Sequence, residues 1–362
     1  MTALTPPEDV IARVDTVLAE YLEGLAGRLG GISPAAAELI EPIRRFTARG
    51  KRIRALVTWW GFELAGGDAR KHPGIARAAT SVELLHAAAL IHDDIIDDSD
   101  TRRGRPAIHA AYRADHRERG WQGDPELYGV GAGIIAGDLC LSLSEEIYTA
   151  SGLDRIADPE AVRRHDDFRR DVMVGQFLDI RLQAAAVDAA EIADRAHEVL
   201  TYKSAKYSVE QPLLLGAALG AADAGLFTLL SEFGLPLGRA FQLRDDELGV
   251  FGDPSITGKP SGDDLRQGKK TVLVGNTLTR LDERTCAWFA DRLGAADLSD
   301  SEIERMKDLM RSTGALAAFE AEIDVEMARA HAALDRLAEF GLSSADRAVL
   351  ADYAMRLTRR TA

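Results

Sequence analysis

The chain has 362 residues, of which 46% are hydrophobic and 28% charged, and a formal net charge of −14. That balance suits a globular protein with one sizeable core, and its sign argues against a nucleic-acid partner, because a phosphate backbone requires a basic face. Two cysteines, Cys140 and Cys286, argue against a disulfide framework and a cysteine metal site.

The opening stretch, MTALTPPEDVIARVDTVLAEYL, is acidic and lacks a basic segment before an apolar core, so no signal peptide is expected. No run reaches the roughly 18 apolar residues of a membrane span, and a cytoplasmic protein without a transmembrane segment is the expectation. Val10, Val14, Val17, Leu18, Tyr21, Leu22 and Leu25 recur at helical spacing, as do Ile323, Met327, Ala330, Leu334, Leu337 and Phe340. No period-two alternation is sustained. An all-α fold is predicted, one domain over residues 1–362.

Ala48–Gly61 (ARGKRIRALVTWWG) sets Arg49, Lys51, Arg52 and Arg54 at the start of an apolar helix. Cations there are unfavourable for the helix itself but suit an anion site. Gly66–Gly74 is a connection. The segment LLHAAALIH then reads as buried helix, with His86 two turns before Asp93. It runs into Asp93, Asp94, Asp97, Asp98 and Asp100. Like charges at i,i+4, near a helix C-terminus, repel each other and oppose the macrodipole. Two readings fit. Either Arg102, Arg103 and Arg105 neutralise an exposed acidic end, or the carboxylates hold a hard divalent cation such as Mg²⁺.

Thr101–Pro106 ends that helix, and Glu118–Leu127 is a longer loop. Val174–Ile180 (VGQFLDI) places Gln176 and Asp179 at i,i+3. VLTYKSAKYSVEQP places Lys203 and Lys206 likewise, with Ser204 between them. These polar groups either pair with each other or meet a ligand. Around Phe241 the acidic theme returns: Gln242, Asp245 and Asp246 end another apolar run. The two acidic helix ends are expected to face each other across a bundle. Phe251–Lys270 follows, about twenty residues rich in glycine, with Lys259, Lys269 and Lys270. Carboxylates beside lysines on a glycine loop suit a metal–phosphate ligand, and a solvated loop of mixed charge fits as well. Beyond about Leu281 the chain reads as packing.

The order of these motifs over roughly residues 40–280 resembles the trans-isoprenyl diphosphate synthases, or polyprenyl synthetases. The resemblance implies an orthogonal helical bundle around a deep central cavity, a homodimer, and Mg²⁺ as cofactor, about three ions per site with Mn²⁺ able to substitute. It implies that isopentenyl diphosphate and an allylic diphosphate (dimethylallyl, geranyl or farnesyl) are joined head to tail. Asp93, Asp97, Asp179, Asp245 and Asp246 would serve the metal. Lys51, Arg54 and His86 would hold isopentenyl diphosphate with Arg103, and Arg102 the allylic diphosphate. Lys203-Ser204 stands at the family's Lys-Thr, and Gln176, Gln242, Lys259 and Lys269 match positions around the allylic diphosphate. Asp93, Asp97, Arg102, Lys203 and Asp245 would carry catalysis. Gly249 departs from the pattern, replacing the last aspartate of the second motif.

Product length would follow cavity depth. Ala89 and Ala88, four and five residues before Asp93, leave the wall open ~6–8 Å below the metal site, with Leu85 deeper. Geranylgeranyl diphosphate is the expected product; farnesyl or longer-chain synthesis, and a non-catalytic subunit of a heteromeric synthase, are the alternatives. A class I terpene cyclase shares the first motif but has no use for the GKRIR element.

Overall fold

A computed structural model describes residues 3–153, 158–253 and 260–359. The chain packs as two compact units, residues 2–162 with 215–222, and residues 163–214 with 223–362. Both are helical, as the spacing predicts. The order begins α1 (Pro7–Gly30), α2 (Pro34–Ala37), α3 (Ile40–Thr47), α4 (Ile53–Leu64) and α5 (Ile75–Ile96). After a hairpin come α6 (Ile108–Glu118) and α7 (Pro125–Thr149). Next are α8 (Pro159–Ala184), α9 (Ala189–Val199), a π-helix (Leu200–Glu210), α10 (Gln211–Leu219) and α11 (Ala224–Phe251). The remainder is α12 (Asp263–Arg266), α13 (Val272–Leu278), α14 (Glu283–Arg292), α15 (Asp300–Ser312), α16 (Ala315–Arg336) and α17 (Ser344–Thr358).

In the first unit α5 is apolar on nearly every side and is covered accordingly. Leu84, Ala87, Ala88 and Ile91 join Leu18 and Leu22 of α1, Ile40 and Ile43 of α3, and Cys140 and Leu143 of α7 in one core. Its buried hydroxyls are satisfied locally: Thr80 Oγ1 donates to the Ala76 carbonyl and Ser81 Oγ to that of Ala78, both at 2.7 Å. The helix stops at Asp97, and Asp98 takes a left-handed conformation (φ 49°) that aspartate tolerates better than most residues.

The irregular Thr101–Pro106 segment is a small antiparallel hairpin, pairing Thr101 with Pro106 and Arg102 with Arg105. Its two turn residues, Arg103 (φ 54°) and Gly104 (φ 72°), both have the positive φ of a tight type I′ turn. Strands this short leave no alternation to read in a sequence.

One expectation is corrected here. Helix α7 is, by length and composition, apolar enough to cross a membrane. Its glycines and alanines raise its hydropathy without forming an obvious block of large side chains. In the structure it packs on α5 and α6 and buries Ala136, Cys140, Leu143 and Ile147.

The second unit is built around α11 and α16. Asp223 caps α11, its carboxylate accepting from the Leu226 amide at 2.8 Å. The C-terminal segment contributes Phe289, Met306, Met310, Phe319 and Ile323 to the apolar core, with Leu243 and Val250 of α11.

Candidate active site

In the first unit the α5 terminus presents Asp93 and Asp97 partly exposed, while Asp94 is fully buried. The hairpin folds Arg102 back onto them. Its Nε donates to Asp94 Oδ1 at 2.8 Å, its Nη2 contacts the same oxygen, and Nη2 lies 3.6 Å from Asp93 Oδ2. Burial raises the Asp94 carboxyl and the Arg102 guanidinium opposes that rise. Asp94 Oδ2 is buried without a hydrogen-bond partner among the described residues. Asp100 is taken by Arg113, at 2.6 Å. The counterion reading holds for Asp94, which Arg102 pairs, and Asp93 and Asp97 lie one helical turn apart.

A basic group adjoins them. Helix α4 begins one residue after Arg52, which is left-handed (φ 51°) and buried. Arg52 is structural: Nε donates to Asp15 at 2.7 Å, Nη1 to Glu83 at 3.3 Å and Nη2 to the Thr47 carbonyl at 2.6 Å. Its neighbours are differently disposed, Lys51 exposed and Arg54 partly so. Arg103 donates to the Arg49 carbonyl. Burial holds His86 well below its ordinary pKa, reinforced by the charges of Arg54, Arg103, Arg102 and Arg52, so its imidazole is neutral. With Arg52 and Arg102 committed to carboxylates, Arg54 and Arg103 beside the neutral imidazole suit a polyanion.

Helix α5 also locates the residues expected to set product length. Leu85 and Ala88 are buried, Ala88 completely and within the core beside α1, α3 and α7. Ala89 is partly open, on the same face as Asp93.

In the second unit Lys203 lies on the π-helix, not on the α-helix its spacing suggests. Helix α8 approaches that π-helix closely, since a Cβ on Gly175 would sit 2.3 Å from the Lys203 amide nitrogen. One turn further along α8, Asp179 accepts from Lys203 Nζ at 2.5 Å and from Gln183 Nε2 at 3.1 Å. Gln176 and Ser204 are partly exposed on the same two elements. Lys206 stands 4.0 Å from Asp171 and over the Tyr202 ring.

On α11, Asp245 is exposed and Asp246 accepts from Gln242 Nε2 at 2.7 Å. Burial, together with the charges of Asp264 and Asp245, pushes the Asp246 carboxyl up to about 8, against the pull of Gln242 and Lys269. Lys269 Nζ lies 3.5 Å from Asp264 Oδ1. Lys259 falls outside the described residues. Lys270 differs from the expectation of a ligand lysine. Its Nζ donates to the carbonyls of Leu182, Gln183 and Ala185 at 2.9, 3.1 and 2.9 Å, closing the C-terminal end of α8. Sequence reasoning missed Asp264; its signal is the Asp263-Asp264 pair between Lys259 and Lys269.

The chain as a whole matches a known group of proteins. The polyprenyl synthetase family model matches residues 36–310. The chain belongs to the polyprenyl synthetase family. It is a prenyltransferase of the isoprenyl diphosphate synthase type. It is 31% identical over 318 residues to a (2E,6E)-farnesyl diphosphate synthase of Mycobacterium tuberculosis, covering 86% of this chain and 80% of that one. Over 306 residues it is 28% identical to a geranylgeranyl diphosphate synthase of Sulfolobus acidocaldarius, covering 84% and 83%. Among solved structures, the geranylgeranyl pyrophosphate synthase of Corynebacterium glutamicum, complexed with isoprenyl diphosphate and magnesium, superposes with a TM-score of 0.86 at 37% identity over the whole of both chains. The all-α fold of the family is the fold observed.

The family uses a divalent metal. Among the described residues no three or more His, Cys, Asp or Glu side chains are grouped so as to hold a metal ion by themselves. The donors nevertheless fit a hard cation of the Mg²⁺ kind, which keeps its waters and takes one or two carboxylates plus phosphate oxygens. Asp246 supports that fit: burial and the charges of Asp264 and Asp245 push its carboxyl up to about 8, a shift that a bound cation would oppose.

Proposed function

We propose that this chain condenses isopentenyl diphosphate head to tail with an allylic diphosphate (dimethylallyl, geranyl or farnesyl), in a Mg²⁺-dependent reaction giving mainly geranylgeranyl diphosphate. The observation that carries the reading is the partition of charge in the first unit. Carboxylates Asp93 and Asp97 end α5, next to a separate basic group of Arg54, Arg103 and neutral His86. One diphosphate needs a metal bridge to carboxylates; the other needs cations alone.

In this reading Asp93, Asp97, Asp179, Asp245 and Asp246 hold Mg²⁺, three ions in all, and Mn²⁺ substitutes. Bound there, the metal would supply charge neutralisation for the departing allylic diphosphate. Arg102, Lys203, Ser204, Gln176, Gln242, Lys259 and Lys269 hold the allylic diphosphate. Lys203 reaches it while Asp179 keeps the ammonium in place. Lys51, Arg54, His86 and Arg103 hold isopentenyl diphosphate. A neutral imidazole suits that role: it donates one hydrogen bond to a diphosphate oxygen. Apolar helix walls exclude water from that cation. The whole chain works as one catalytic domain, both acidic sets being required for turnover.

The partly open Ala89 on the Asp93 face supports the C20 product. The protein is further proposed to be a cytoplasmic homodimer, with the exposed Leu127, Ile134 and Ile135 of α7 supporting the dimer.

The test incubates the purified chain with Mg²⁺, isopentenyl diphosphate and each allylic diphosphate, and sizes the products. Chain extension to C20 is expected. A cyclic hydrocarbon would make it a cyclase, and no turnover an inert subunit of a heteromeric synthase.

A further inference from the structure

Gly249 stands where the second acidic motif lacks its last aspartate. The structure leaves no room for a side chain there. A Cβ built on Gly249 would lie 1.9 Å from Asp264 Oδ2, 2.4 Å from its Cγ and 3.0 Å from Oδ1. The first two lie far inside van der Waals contact, so any side chain at 249 requires Asp264 to move. Position 249 is i+4 from Asp245 and i+3 from Asp246, so its side-chain space lies on their face of α11. A carboxylate from a segment fifteen residues further along occupies that space.

Asp264 is not a chance surface group. It is 8% exposed, and the turn bearing it, α12, is fastened on both sides. Leu265 is fully buried and its carbonyl accepts from the Gly294 amide at 3.0 Å. Arg266 Nη1 donates to the Leu298 carbonyl at 3.2 Å, and upstream Ser261 Oγ accepts from Lys307 Nζ at 2.8 Å. A like-charged carboxylate is thus fixed against the acidic end of α11, with Lys269 Nζ 3.5 Å from its Oδ1.

We propose that Asp264 is the third carboxylate of the second acidic motif, supplied in place of a side chain at position 249. Gly249 and Asp264 are then a matched pair: the motif keeps three acids, two from α11 and one from α12. This inference rests on the metal–diphosphate reading above. It deepens that reading by assigning the missing donor.

The test measures Mn²⁺ binding, in the presence of inorganic diphosphate, by calorimetry and by the Mn²⁺ paramagnetic resonance signal, together with the melting temperature of the metal-free chain. Asp264→Asn keeps the shape and removes the charge. It is expected to weaken Mn²⁺ binding about tenfold, the scale for a supporting ligand of a metal site, while the metal-free melting temperature holds or rises. Gly249→Asp alone is expected to weaken binding by displacing Asp264. The double variant Gly249→Asp/Asp264→Gly is expected to bind Mn²⁺ within about threefold of the unaltered chain, the acid having moved back onto α11.

Unchanged Mn²⁺ affinity in Asp264→Asn would overturn the proposal, as would a lower metal-free melting temperature with intact affinity, the signature of a loop anchor. A folded double variant no tighter than Asp264→Gly alone would overturn it equally. Should the position-249 variants fail to fold, Asp264→Asn decides by itself. Failure of the unaltered chain to bind Mn²⁺ with diphosphate would remove the underlying reading as well, and so is distinguishable from failure of the Asp264 assignment.

Discussion

Lys269 and Lys270 are adjacent and chemically identical, yet the structure gives them opposite tasks. Replacing Lys270 by Met removes an ammonium that donates to three carbonyls at 2.9–3.1 Å. Hydrogen bonds to a charged group contribute about 1.5–3 kcal/mol each when well buried. Lys270 is only partly buried, and freed carbonyls at a helix end regain water, so the three together are worth far less than their sum. Setting against them the roughly 2 kcal/mol of rotamer entropy that a fixed lysine forfeits leaves a net loss of about 2 kcal/mol. For a protein of this size that lowers the melting temperature by about 4 °C. Because α8 carries Gln176 and Asp179, turnover should fall moderately as well. Lys269→Met should do the reverse in turnover, a loss of at least about 100-fold, since it removes a diphosphate cation, with a smaller fall in melting temperature that reflects only its 3.5 Å pairing with Asp264. Differential scanning calorimetry and a radiolabelled isopentenyl diphosphate extension assay measure the two quantities. Equal effects of the two substitutions on stability, or a greater loss of turnover from Lys270→Met, would refute the assignment.

Two further outcomes follow from the first unit. His86 is neutral in the fold and titrates near 6.5 when unfolded. Below that pH the unfolded chain binds a proton that the native state refuses, so stability falls as pH drops through 6.5, by up to about 1.4 kcal/mol per pH unit. His86→Gln should flatten the slope of melting temperature against pH between 7.5 and 5.5; an unchanged slope would show that another group sets it. Ala89→Phe, on the open face of α5, should shift the main product from C20 to C15 with little change in melting temperature. Ala88→Phe should instead overpack the core beside Leu22 and Ile43 and destabilise by about 1–3 kcal/mol; product sizing and calorimetry on both variants test the contrast.

The sequence carried the parts of the site that are local to one element. That α5 is buried on nearly all sides, that it ends in acid at Asp93 and Asp97, and that α4 begins beside Lys51 and Arg54 all follow from helical period and breakers. The division of α5's two alanines was not legible, because a 100° rotation decides whether a methyl group meets α7 or open space. Nor was the π-helix, since Lys203 and Lys206 read equally well at α-helical spacing and only the close approach of α8 at Gly175 distinguishes the two.

By itself, then, the sequence determined the helical class, the order of the motifs and the residue types of each donor set, because these depend on neighbours within a few turns. Only the tertiary structure decided which charges are already committed. Arg52 belongs to Asp15 and Glu83, Arg102 to Asp94, Lys270 to the end of α8, and the space at Gly249 to Asp264. Those pairings join residues up to 88 positions apart. Long-range electrostatic partners are chosen by packing and desolvation, which no local pattern encodes.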